Sequence, residues 1–274
     1  MRQVWMTRPE WSEPEWMRLE PASPAGRSED ADRRDDSRLR SMPLQRLEAL
    51  DSDTSVLHGL SGAVSPWIVW TSPAAVQAFF FWLKRHAQDI TFLGKVWLAA
   101  IGSGTRDQLL RLYPGADKIV CADSSERADA PGLLTAMDLF MRQKSMDWAS
   151  QTLLVVEGES NRPTLREGFV ARGAVCLVAE LYRRVEAPWP ESAWTEITRS
   201  AAGALGLVVT SSGAGRQLIA AFQAHGLALS QVIWCTHHAA IAQLVQEAGV
   251  ARVRRVRLNH QWLSYDLFEH EAYW

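Results

Sequence analysis

The stretch W67-I-V-W-T-S-P-A-A-V-Q-A-F-F-F81 decides how the chain reads. Four apolar residues, 67–70, suit a strand buried on both faces. Thr71-Ser72-Pro73 then supplies an N-cap and a proline for the first helical turn, and Ala75, Val76, Phe79 and Phe80 follow at helical spacing. A strand, tight turn and helix of this kind leaves backbone N–H groups free at the carboxyl end of the strand, where open α/β sheets bind anionic ligands. The pattern returns at L-V-V-T-S-S-G-A-G-R-Q-L-I-A-A-F, residues 207–222, with Thr210-Ser211-Ser212 in place of Thr71-Ser72-Pro73. The repeat predicts two similar halves.

Between and beyond these stretches, strand and helix patterns alternate at short period. Strands are expected at 3–6, 95–101, 118–121, 152–156, 175–182, 207–210, 232–235 and 253–258. Helices are expected up to Leu112, at 131–142, at 163–172 closed by Gly173, at 194–201, 216–225 and 238–248, and around 265–270. This alternation signals doubly wound, flavodoxin-like parallel sheets. Only about three strands follow Pro188-Trp189-Pro190, which reads as a linker, so the N-terminal strand is expected to complete the second sheet. The domains are then 1–50 plus 186–274, and an inserted domain over 51–185. Residues 20–41, rich in charge, proline and serine, read as a mobile surface loop.

At 274 residues with 47% hydrophobic content, the chain can fill two cores. A net charge of −2 excludes the broad basic face of a general nucleic-acid binder. Cys121, Cys176 and Cys235, odd in number and each in or beside an apolar run, read as reduced core thiols. No apolar run reaches the length of a membrane span and the start has no signal-peptide pattern, so a soluble cytoplasmic protein is expected. Core filling accounts for strand tryptophans such as Trp5, Trp70, Trp97 and Trp234.

The chemistry-bearing motifs are sparse. Gly102-Ser103-Gly104-Thr105 is a glycine turn between strand and helix, but Asp107 stands where a dinucleotide fingerprint needs its third glycine. No P-loop, nucleophile elbow or H-E-x-x-H is present, and the adjacent His237-His238 do not have metal-ligand spacing on a helix. Arg252, Arg254, Arg255 and Arg257 alternate with Val253 and Val256 as in a partly exposed strand able to attract carboxylates. What remains is a set of hydroxyl- and glycine-bearing turns at Thr7, Thr71-Ser72, Ser103-Thr105, Gly158-Glu159-Ser160, Thr210-Ser212 and Thr236-His237. Placed beyond strand ends, these predict the two walls of an interdomain cleft offering N–H donors to a polyanion. The absence of a nucleophile–base pair points to a reaction governed by positioning.

The chain resembles the uroporphyrinogen-III synthase family. The resemblance rests on TRP at 7–9, VWTSPAAVQAF at 69–79, AIGSGTRDQL at 100–109, APGLL at 130–134, VVEGESNRPTLREGFVARGAV with ELYRR between 155 and 184, VVTSSGAGRQL at 208–218 and THHAAIAQL at 236–244. It implies two doubly wound domains joined by a two-stranded linker, in a monomer. It also implies a cofactor-free lyase of haem biosynthesis acting on hydroxymethylbilane, a linear tetrapyrrole with eight carboxylates. The terminal hydroxyl leaves, a spiro intermediate forms, and ring D inverts on closure; unaided, the substrate closes to the wrong isomer. No metal, membrane or nucleic acid enters, and transient hand-over from hydroxymethylbilane synthase is compatible with this chemistry.

Carried over, Tyr182 in ELYRR matches the family's candidate acid; a strand-end aromatic is the competing reading. The expected substrate-binding residues are Thr7, Arg8, Thr71, Ser72, Ser103, Gly104, Thr105, Gly158, Ser211, Ser212, Thr236, His237 and His238. Ala74, Glu157 and Ala239-Ala240 depart from the family pattern. They motivate a second reading, a non-catalytic bilobal tetrapyrrole-binding protein.

Overall fold

The computed structural model describes residues 3–7, 9–11, 39–116, 118–122, 129–159, 163–251 and 253–256. The chain divides into two compact units: residues Glu48–Arg184 form the body of one, and the N-terminal strands together with the chain from Val185 form the other.

In the Glu48–Arg184 unit, β5 (Ser65–Trp70) lies centrally in a parallel run of strands ordered β9-β8-β5-β6-β7, with β6 at Trp97–Ala100, β7 at Ile119–Cys121, β8 at Gln151–Gly158 and β9 at Val175–Glu186. Its apolar run serves both faces of the sheet, as the pleat requires. Trp67 and Val69 join Leu153 and Val155 beneath α4 (Ala130–Gln143) and α5 (Thr164–Val170) through Leu133, Met137 and Phe169. From the other face of β5, Trp70 meets Phe79 of α2 (Pro73–Arg85) edge to face at 5.6 Å. Helix α2 begins where Ser72 accepts the Ala75 N–H at 2.9 Å with Pro73 in the first turn, and it buries Ala75, Val76, Phe79, Trp82 and Leu83. Helix α3 (Ser103–Leu112) follows β6, and the short α1 (Ser55–Ser61), absent from the sequence reading, precedes β5.

Beside β9 runs β4 (Gln45–Ala49), with β2 (Glu10–Trp11) beyond it. Leu50 donates to the Leu181 carbonyl at 2.9 Å and Ala187 to that of Leu44 at 2.8 Å, a reciprocal pattern that makes β4 and the end of β9 antiparallel.

The other unit carries a parallel sheet ordered β12-β11-β10-β1-β3, with β1 at Gln3–Met6, β3 at Leu39–Ser41, β10 at Leu205–Val209, β11 at Ile233–Thr236 and β12 at Arg254–Arg255. Helices α6 (Glu191–Arg199), α7 (Ser212–Ala224) and α8 (Ala239–Glu247) accompany it. Trp5, Trp194, Leu207, Phe222 and Trp234 form its larger core, and Val4, Val208, Cys235 and Val256 the smaller one on the opposite face.

Two expectations need correction. Residues 39–41 are not part of a loop: they form β3, in register with β1 through Val4↔Leu39, with Arg40 paired to Glu196 at 2.9 Å and placed 5.5 Å from the Trp5 ring centroid. Strand β9 does not stop at Tyr182 but continues to Glu186. Pro188-Trp189-Pro190, read as a linker, connects the end of β9 to the helix at Glu191–Arg199. Trp189 is buried, meets Trp5 edge to face at 5.2 Å and donates its indole N–H to the Met42 carbonyl at 3.1 Å. Residues 20–38 and the expected helix at 265–270 lie outside the described residues.

Burial pushes the Cys176 thiol up to about 11, with the Glu157 charge adding to the effect, and the Cys235 thiol up to about 12, from an ordinary 9.0. At a given pH, Cys176 therefore carries about 100-fold less thiolate than an ordinary cysteine. Iodoacetamide at pH 8 is expected to leave both unmodified in the native protein and to label them after denaturation, read by peptide mass. These raised values also fix the sign of the pH effect: the unfolded thiols ionise first, so this contribution to stability is intact below pH 9 and declines above it, until the native thiols ionise in turn.

Candidate active site

The carboxyl ends of β5 and β8 meet one phenol, carried by β9. Tyr182 sits on β9 opposite Gly158, where the β8–β9 register shifts between Glu157 and Gly158. Its ring lies over that glycine so closely that a Cβ there would stand 2.8 Å from Cζ and 3.1 Å from the hydroxyl oxygen. Only glycine leaves room. The hydroxyl oxygen is 2.9 Å from Ser72 Oγ and accepts a hydrogen bond from Arg184 Nη2 at 3.1 Å, while the Arg184 guanidinium lies 5.3 Å from the ring centroid. Tyr182 is 1% exposed. Ser72, half-buried, is the N-cap of α2, so the phenol shares an oxygen with the positive end of a helix dipole. Two positive features therefore flank one ionisable hydroxyl.

Thr71 serves the turn from within. Its N–H and its Oγ1 both donate to the Val156 carbonyl, at 3.2 and 3.1 Å. Thr7 does the same at the end of β1, donating N–H and Oγ1 to the Val208 carbonyl at 3.1 and 2.9 Å. The recurrence of T-x-P at 7–9 and 71–73 is the sequence signal of this shared clamp. Thr7 is fully buried, and its hydroxyl is taken up in holding the strand end; Arg8 lies outside the described residues.

At the end of β6, Ser103 and Gly104 are exposed in the first turn of α3, and no other group lies within 4 Å of a Cβ built at Gly104. Thr105 faces inward and is buried. In the other unit Ser211 caps α7 as Ser72 caps α2, accepting the Ala214 N–H at 3.1 Å, with Ser212 half-buried beside it. Thr236 is buried, and its carbonyl accepts the Val256 N–H at 2.9 Å. His238 proves to be a helix cap: its Nδ1 accepts the Ala240 N–H at 3.2 Å. The His237 and His238 rings stand 6.3 Å apart, and among the described residues no group of three or more His, Cys, Asp or Glu could hold a metal ion.

Two departures from the expected pattern have clear surroundings. Glu157 is buried at the end of β8 with Arg166 of α5 at 3.1 Å, which balances its charge inside the unit. Asp107 pairs with Arg106 at 3.2 Å on the surface of α3. Sequence reasoning missed Arg184. The available signal was its position two residues beyond Tyr182 on the same strand face.

A family model described as uroporphyrinogen-III synthase HemD matches residues 40–255, well over half of the chain. No curated protein matches the sequence. Among solved structures, the chain is similar to a mutant uroporphyrinogen III synthase from the extremely thermophilic bacterium Thermus thermophilus, with 14% identity over 91% of this chain and 90% of that one and a TM-score of 0.51. It is likewise similar to uroporphyrinogen-III synthetase from Helicobacter pylori, with 12% identity over 97% of this chain and 96% of that one and a TM-score of 0.51. At these identities the structural likeness speaks for the α/β fold alone.

Proposed function

The chain belongs to the uroporphyrinogen-III synthase family, closing hydroxymethylbilane to uroporphyrinogen III, and we propose that the Tyr182 hydroxyl supplies the proton for this reaction through Ser72. The observation that carries the proposal is the placement of the phenol oxygen 2.9 Å from Ser72 Oγ and 3.1 Å from Arg184 Nη2. Tyr182 is buried and Ser72 half-buried, so the serine hydroxyl is the part of the pair that meets a ligand. The proton passes from Ser72 to the departing hydroxyl, which leaves as water, and Tyr182 replaces it on Ser72. The phenol oxygen then carries the negative charge, opposite the Arg184 guanidinium and near the N-terminus of α2.

Spiro formation, ring D inversion and closure then follow under steric control, without a cofactor. Backbone N–H groups in the first turns of α2 and α3 are the carboxylate holders of this unit in this reading. In this reading the discontinuous unit built on β1 and the inserted unit built on β5 are two doubly wound, flavodoxin-like domains of a monomer, a reading that the parallel strand orders of the two sheets support. No helix among the described residues is long and apolar enough to cross a membrane, which fits work in the cytoplasm beside hydroxymethylbilane synthase.

The deciding experiment mixes freshly generated hydroxymethylbilane with the protein and reads type III against type I uroporphyrinogen by chromatography after oxidation. Predominant type III is expected. Type I alone, formed at the uncatalysed rate by a folded sample, overturns the proposal.

Gly158 provides a second test. In Gly158→Ala the new Cβ displaces the Tyr182 ring, because no atom at 2.8 Å from Cζ can stay there. Turnover is expected to fall on the order of 10-fold, below the roughly 10²-fold that a 1 Å misplacement can cost. Stability should fall by about 1–3 kcal/mol, the usual cost of overpacking. Steady-state rates and thermal unfolding check the two effects.

A further inference from the structure

Arg184 and Arg183 are neighbours on β9 with different fates. Arg183 is engaged by Glu48, with Nε–Oε2 at 2.9 Å and Nη2–Oε2 at 2.8 Å. Arg184 is exposed and, among the described residues, has no carboxylate within ion-pair range. One of its five N–H donors is given to the Tyr182 hydroxyl, and a neutral phenol does not cancel a guanidinium charge. The side chain is nonetheless held in place, because the guanidinium lies 5.3 Å from the Tyr182 ring centroid while that hydrogen bond fixes its edge. The positive end of α2, a helix of 13 residues, reaches the same phenol through Ser72.

A cation that is oriented, faces solvent and is uncompensated among the described residues is prepared for a bidentate anion. From this geometry we infer that Arg184 is a carboxylate-binding residue of the substrate site, receiving one side-chain carboxylate of the linear tetrapyrrole on its free donors while its Nη2 keeps Tyr182 in place. The inference rests on the synthase reading and adds a specificity element to it. A substrate carboxylate bridged in this way is anchored beside the proton donor, so binding and orientation become coupled at one side chain.

The test uses Arg184→Gln and Arg184→Lys in the full chain, each alone and combined with Tyr182→Phe. Two quantities are read: KM for hydroxymethylbilane, and the dissociation constant of uroporphyrin III, the oxidised product used as a stable polycarboxylate probe, from quenching of its fluorescence. Arg184→Gln is expected to raise both by about 10-fold and to flatten the salt dependence of probe binding. Arg184→Lys, which keeps the charge but not the fork, should recover part of the loss. The Gln effect on the probe should persist in the Tyr182→Phe background, where a role exercised only through the phenol would vanish. If the wild-type chain yields type III product while Arg184→Gln leaves KM and probe binding unchanged, the inference is overturned. Production of type I alone by the wild type would instead overturn the synthase reading, a separate outcome.

Discussion

Tyr182→Phe is expected to lower kcat by about 10³-fold, within the range that removal of a general acid produces, while KM changes less than about threefold. The substitution removes one oxygen and keeps the ring, so the packing against Gly158 and the Arg184 guanidinium remains. Ser72 still accepts the Ala75 N–H at 2.9 Å and still caps α2. What disappears is the proton source, together with the hydrogen bonds to Ser72 and Arg184. Stability should fall by only about 1 kcal/mol, the net worth of such bonds. As catalysis slows toward the uncatalysed rate, the type I fraction should rise, which links a rate measurement to a product ratio. A variant with more than a third of wild-type kcat would assign the acid elsewhere and leave Tyr182 as a packed strand aromatic.

The architecture was legible in the chain wherever burial dictated sequence. Strand β5 reads as an uninterrupted apolar run because both of its faces are covered, and α2 announces its start through Ser72 and Pro73. Elements held mainly by pairing were not legible. Strand β3 is three residues, Leu-Arg-Ser, defined by its register with β1 and by the Arg40–Glu196 pair, partners distant in sequence of which a charged stretch gives no hint. Helix α1 buries just Leu57 and Leu60, and its first N–H is taken by Asp53 Oδ1 at 3.0 Å and not by the Thr54 side chain, so two apolar residues and a displaced cap leave only a weak signal. Past Tyr182, the exposed Arg183 and Arg184 hide the continuation of β9. The site divides along the same line. Ser72 and Ser211 could be found because capping has a sequence grammar, whereas the approach of Tyr182 to Gly158 depends on a register shift between two strands that no local pattern records.

Trp67→Ala carries the largest expected loss of stability. Trp67 is fully buried near the middle of β5, stacked on Trp97 at 5.7 Å and edge-on to Phe140 at 5.6 Å. Truncation of a large core aromatic costs about 3–5 kcal/mol through lost transfer energy and the cavity left behind. Collapse around that cavity is resisted here, since β5 is hydrogen-bonded on both sides, to β6 and to β8, and its backbone cannot move inward without breaking two ladders. A polar cost adds to the cavity. The Trp67 indole donates to Gln151 Oε1 at 3.0 Å, and Gln151 is itself buried, with its amide nitrogen committed to the Asp147 carbonyl and the Ser150 hydroxyl. Without the indole, that buried oxygen loses its donor, a further loss of about 1–3 kcal/mol. Trp67→Phe refills most of the volume and isolates the second contribution, so the two variants should differ by roughly 2–4 kcal/mol. Urea unfolding followed by circular dichroism measures both, with the midpoint shifted and the slope unchanged if the native packing is otherwise retained. A loss below about 2 kcal/mol for Trp67→Ala would mean that the aromatic cluster repacks, and that β5 is less rigidly held than its two ladders imply.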